Sequence, residues 1–119
     1  MRKIIAIALL LSPGPLWADA AEIVDATARQ SGDGSWSFSV TLRHPDTGWD
    51  HYADGWRVEA EDGTILGTRE LLHPHVNEQP FTRSLSGVVI HEETTRVFIR
   101  AKCNVDGWSD TRLEHILTR

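Results

Sequence analysis

The chain has 119 residues, 12 basic against 17 acidic, for a net charge of −5 at pH 7, and 40% of it is hydrophobic. That is enough for one domain, and an acidic chain without a basic cluster excludes nucleic acid and anionic membrane surfaces from the expected partners. Its single cysteine, Cys103, forbids an internal disulfide, and its single methionine, Met1, excludes a methionine-rich copper(I) site.

Residues 1–20 read as a secretory signal peptide. Arg2 and Lys3 precede the apolar run Ile4 to Leu11, then the breakers Pro13, Gly14 and Pro15, then Ala18-Asp19-Ala20 as an A-x-A cleavage pattern. The run is shorter than the roughly 20 residues a membrane anchor needs. No cysteine follows it, as lipoprotein processing would require. The expected mature chain is residues 21–119, periplasmic or secreted, with no membrane anchor.

Beyond that point the hydrophobic period is two. Glu22 to Arg29 is a plausible first strand. From Ser35 to Arg43, the residues Trp36, Phe38, Val40 and Leu42 alternate with Ser37, Ser39, Thr41 and Arg43. Trp56, Val58 and Ala60 alternate with Arg57, Glu59 and Glu61, and Asp62-Gly63 supplies a hairpin turn into Thr64 to Leu72. Phe81 to Ile90 and Arg96 to Cys103 are further strands, and Arg112 to Leu117 is the last. No stretch has a helical period. About seven short strands predict an all-β fold, an antiparallel immunoglobulin-like β-sandwich, with a small closed barrel as the alternative. Trp36, Phe38, Val40, Val58, Val97 and Ile99 are the expected centre of its core.

Four of the six histidines fall in two loop-like segments, His44-Pro45-Asp46-Thr47-Gly48-Trp49-Asp50-His51-Tyr52 and Leu72-His73-Pro74-His75-Val76-Asn77-Glu78. In extended chain, His73 and His75 point to one side. Imidazoles grouped this way can hold Zn, Cu or Fe. The expectation is that the His44/His51 loop approaches His73 and His75, with Asp50 and Glu78 orienting the rings. The competing reading is ordinary: Trp49 covers the end of the core and the histidines cap strands. Cys103 ends the inward face of its strand, as a small buried hydrophobe or as a thiolate ligand. Ser84 and Ser86 have no nucleophile elbow around them. The chain has no phosphate-binding glycine loop, Cys-x-x-Cys pair or haem-attachment motif.

Two resemblances rest on these residues. The block from His44 to Val88, with His-Pro-Asp-Thr-Gly-Trp-Asp-His-Tyr-Ala-Asp-Gly-Trp and Leu-Leu-His-Pro-His-Val-Asn-Glu-Gln-Pro-Phe-Thr-Arg-Ser-Leu, resembles a group of small exported bacterial proteins of unknown function. His44-Pro-Asp-Thr, His51-Tyr52, Trp56 and Cys103-Asn-Val-Asp-Gly-Trp108 are similar to the metal-binding segments of the superoxide reductase (desulfoferrodoxin) domain. That resemblance implies an immunoglobulin-like sandwich whose non-haem iron, held by four equatorial histidines and an axial cysteine, reduces superoxide to peroxide. By position His44 would be one equatorial ligand, His51 a second displaced by one residue, and Cys103 the axial thiolate. The chain departs from that pattern at Asp106, which stands where the family's last histidine does. It also has no histidine before His44 and no Glu-Lys-His segment near its start.

The sequence therefore reads as an exported binding or accessory module, with a His-rich loop site for a divalent metal or small ligand, rather than an enzyme. A degenerate superoxide reductase-like redox protein, with His73 or His75 replacing a lost ligand, is the second reading. A structural or protein-interaction domain without metal is the third. Convergence of His44, His51, His73 and His75, with or without Cys103, discriminates among them.

Overall fold

The computed structural model of the chain describes residues 20–119. All but Ala20 of the expected signal segment lies outside them. The strands are β1 (Glu22–Gln30), β2 (Trp36–Arg43), β3 (Ala53–Glu59), β4 (Ile65–Glu70), β5 (Phe81–Val88), β6 (Arg96–Cys103), β7 (Gly107–Trp108) and β8 (Leu113–Ile116). Among the described residues, no helix is long and apolar enough to cross a membrane.

The strands form two antiparallel sheets. One has the order β1-β2-β5; the other runs β4-β3-β6, with β7 and β8 both pairing β6. β8 takes Arg96 to Ile99, and β7 takes Lys102 and Cys103. This is the immunoglobulin-like sandwich, with eight strands rather than about seven because the two-residue β7 is a strand of its own.

Alternation builds the core. Trp36, Phe38, Val40 and Leu42 from β2 are fully buried, as are Trp56 and Val58 from β3 and Val97 and Ile99 from β6. Their inward faces interdigitate between the sheets. On the outer face of the smaller sheet, Ser37 meets Ser86, Ser39 meets Ser84 and Thr41 meets Thr82, at 3.2, 2.9 and 2.7 Å. The β3–β4 hairpin turns at Asp62-Gly63 as its sequence predicts, with Gly63 at φ +93° and the Asp62 carboxylate accepting from Thr64 N–H.

Glu59 alternates outward with Arg57, yet it is only 1% exposed. Three guanidinium groups cover it: Arg57 Nε and Arg100 Nε reach Oε2 at 2.7 and 2.8 Å, and Arg112 Nη1 reaches Oε1 at 3.1 Å. Burial pushes the carboxyl pKa up, but hydrogen bonds from Arg100, Arg57 and Arg112 outweigh it and bring it down to about 2. Arg112 lies in the connection before β8, so this cluster ties the last strand's approach to β3.

Candidate metal centre

Three connections meet at one end of the sandwich: 44–52 between β2 and β3, 71–80 between β4 and β5, and 104–106 between β6 and β7. The register requires it, since Leu42 pairs with Phe81, Gly55 with Glu70, and Ala53 with Cys103. The first two connections each cross from one sheet to the other.

His44 follows directly after β2 and is 1% exposed. Pro45 then occupies the middle of a three-residue turn in which Asp46 N–H donates to His44 O at 2.7 Å. Proline's fixed φ suits that turn. The turn folds the Asp46 carboxylate back onto the ring, where His44 Nδ1 and Asp46 Oδ1 are 2.5 Å apart. The same carboxylate accepts from Ala53 N–H at 3.0 Å and His75 N–H at 2.7 Å. With Nδ1 donating to the carboxylate, His44 Nε2 presents its lone pair. That atom is buried and has no hydrogen-bond partner among the described residues, a costly arrangement unless something occupies the lone pair.

His51 is placed by a tight turn. Gly48 adopts φ +146°, outside the range of ordinary side chains. Thr47 N–H donates to His51 O at 3.0 Å, and His51 N–H donates to Gly48 O at 3.2 Å. The turn sets the half-buried His51 ring edge-on to His44, with centroids 4.7 Å apart and planes at 86°. Cys103, 1% exposed, ends β6 with its Sγ 3.6 Å from His51 Nε2. Ligand atoms of His44, His51 and Cys103 all lie within 4.8 Å of one another. Donors about 2.3 Å (sulfur) and about 2.0–2.1 Å (nitrogen) from a tetrahedral ion stand roughly 3.5 Å apart, so the sulfur–imidazole spacing fits shared coordination.

Asn104 fastens the two loops together. Its Nδ2 donates to Trp49 O at 3.1 Å and Asp50 O at 3.3 Å. Its Oδ1 accepts from Tyr52 N–H at 2.9 Å, and its own N–H donates to Tyr52 O at 3.1 Å. Asp106 N–H donates to Cys103 Sγ at 3.2 Å, a bond that stabilises negative charge on sulfur.

His73 and His75 lie on the adjacent loop, with ring centroids 4.7 Å apart. His73 is exposed and His75 buried, and neither ring belongs to the His44, His51 and Cys103 group. His75 stacks on Phe81 at 4.0 Å, and Arg83 Nη2 lies 2.8 Å from its Nε2. Arginine only donates, so Nε2 accepts and the proton sits on Nδ1. Burial, then the Arg83 charge and His73, hold its pKa below the usual histidine range. Backbone is what links this loop to the centre, through His75 N–H on Asp46.

The sequence reading missed Asp46 as the carboxylate behind His44, naming Asp50 and Glu78 for that task. Asp50 meets Asn104 through its carbonyl, and Glu78 pairs with Arg83 at 3.2 Å. The available signal was His44-Pro45-Asp46 itself, a histidine and carboxylate two apart around a proline turn. Asn104 and Asp106 lie on either side of Val105 in the Cys103-Asn-Val-Asp-Gly-Trp108 segment, whose resemblance marks Asp106 only as the place of a lost histidine and gives Asn104 no role.

No family model matches the chain, and no solved structure matches it. Over 88 residues it is 46% identical to a "putative lipoprotein" of Halomicrobium mukohataei. The matched stretch covers 74% of this chain and 43% of that protein, so the chain spans less than half of that relative's length.

Proposed function

We propose that the chain is an extracytoplasmic metal-binding module in which His44, His51 and Cys103 hold one transition-metal ion. The buried His44 Nε2, without a hydrogen-bond partner among the described residues, carries this reading, together with the grouping of a His44 ligand atom within 4.8 Å of ones on His51 and Cys103. Two imidazoles and one thiolate form a borderline-soft set suited to Zn, Cu or Fe. Asp46 supplies the carboxylate–histidine contact that fixes ring orientation and tautomer at metal sites. The leader pattern in residues 1–20 supports export, and the similar Halomicrobium protein is described as a lipoprotein.

Elemental analysis of exported protein, purified without a metal-binding tag, tests the proposal. Near-stoichiometric Zn, Cu or Fe is expected, lost in His44→Ala and in Cys103→Ser. Protein that is metal-free as purified, takes up none of the three and melts at an unchanged temperature in their presence would overturn it.

A redox role of the superoxide reductase type is the second reading. Cys103 favours it, standing among the donors with a backbone N–H on its sulfur, a contact that tunes metal potentials. Iron-loaded protein should then cycle reversibly between two oxidation states and consume superoxide. Failure of both leaves a binding module without turnover.

A further inference from the structure

We infer that the outer face of the larger sheet carries a binding hollow for a single pyranose sugar ring, a site that does not rest on the metal-binding reading above. The hollow measures about 260 Å³, just below the roughly 300–1,000 Å³ of pockets for drug-sized ligands. Gly55 makes it. Glu70, Gly55, Lys102 and Trp108 stand side by side across β4, β3, β6 and β7, and the glycine leaves a gap between long side chains. Gly55 is buried, yet a Cβ added there would meet only Arg69 O, at 3.4 Å. Among the described residues, no side chain fills the space directly above it.

The walls match that ligand. The β3–β6 register slips by one residue at Asp54, between the Ala53–Cys103 and Gly55–Lys102 pairs. Such a bulge re-aims a side chain, and here Asp54 Oδ2 meets Lys102 Nζ at 2.7 Å. The other oxygen, Oδ1, is buried and has no hydrogen-bond partner among the described residues, a costly state unless a donor reaches it. With the ion pair already closed, the hollow offers one acceptor beside an ammonium donor. Neighbouring hydroxyls, each able to donate and accept, satisfy both. A free amino acid would instead bring two charges that compete with the pair. Trp108, held under the Arg57 guanidinium at 3.9 Å, and the half-buried Tyr52 give aromatic walls for the C–H face of a ring. Leu72, 73% exposed, lines the same hollow and adds apolar contact.

NMR titration of the exported protein with glucose, galactose, mannose and N-acetylglucosamine, and with free leucine as the zwitterionic comparison, tests this. At least one sugar should bind in the millimolar range and shift the Gly55 and Lys102 amides and the Trp108 indole N–H, leaving the His44 ring unmoved. Gly55 has no positive φ, so Gly55→Val suits the strand while filling the hollow. It should weaken that sugar at least about tenfold, with a dispersed spectrum showing that the sheet is intact. Asp54→Asn keeps the side-chain shape without the charge and should lose affinity in the same direction, since hydrogen bonds to a carboxylate are the stronger ones. Sugar shifts unchanged in Gly55→Val, or in Asp54→Asn where the valine variant does not fold, would overturn this hollow as the site. No shift with any of these sugars at tens of millimolar would overturn sugar binding. Shifts with leucine alone would overturn it in favour of an amino-acid ligand.

Discussion

His75 and Asp46, 29 positions apart, are joined by a backbone bond, His75 N–H donating to Asp46 Oδ2 at 2.7 Å. The other carboxylate oxygen serves His44 and Ala53. One buried side chain thus fixes the start of β3, the β4–β5 connection and the ring of a proposed ligand.

Asp46→Ala should therefore do more than remove a charge. It leaves three buried donors without an acceptor, each worth about 1–3 kcal/mol, so the metal-free protein should lose on the order of 3–5 kcal/mol in urea denaturation. Metal affinity should fall by about 10–100-fold. Asp46→Asn keeps one acceptor oxygen and should fall between. A loss below about 1 kcal/mol would show that the carboxylate does not hold these loops.

Asn104→Ala should loosen the turn carrying His51 without touching the core. Tyr52 N–H loses its acceptor, Asn104 Oδ1 at 2.9 Å, and Asn104 itself is exposed. Amide exchange at Tyr52 should accelerate, with a global stability change of about 1–2 kcal/mol, and zinc affinity should fall. Unchanged protection at Tyr52 would mean that the turn stands without this clamp.

Glu59 predicts a specific acid sensitivity. Its folded-state pKa of about 2 lies below its ordinary 4.5. The ionised carboxylate thus stabilises the fold fully above about pH 4.5, and that contribution is lost as pH falls toward 2. Urea midpoints measured from pH 7 to pH 2 should drop across that window, by a contribution of a few kcal/mol. Glu59→Gln should lower stability at pH 7, because it strands Arg57, Arg100 and Arg112 around a neutral group, and should flatten the acid dependence. A wild-type curve with no fall below pH 4.5 would contradict the arginine cage.

The sandwich was legible because period-two alternation is a local property. Trp36, Phe38, Val40, Val58, Val97 and Ile99, all expected at the centre, are fully buried. The strand Arg96 to Cys103 has the expected ends. The site was less legible. The superoxide reductase resemblance groups His44, His51 and Cys103, but the residues by themselves do not, because that grouping depends on Ala53 pairing with Cys103, a long-range register that no window of sequence contains. Asp46 stands in a local Asp-Thr-Gly stretch of turn-forming residues, whereas two of its acceptor contacts go to the backbone of Ala53 and His75. Alternation places Glu59 only on the polar face of its strand, and the residues that bury it there, Arg100 and Arg112, come from β6 and from the approach to β8.

His51 and Cys103 stand 52 positions apart in the chain, and that separation bears on the order of events during folding. No short segment of the unfolded polypeptide contains this donor set, so a cation cannot template the chain as it does in a zinc finger. The loop of that length must close through strand pairing first, at an entropic cost that the β3–β6 ladder and the apolar core must offset. At the proposed centre, an ion captured afterwards would act by mass action on the finished topology, raising the melting temperature with its concentration. The scaffold would come first and the ion would be its passenger.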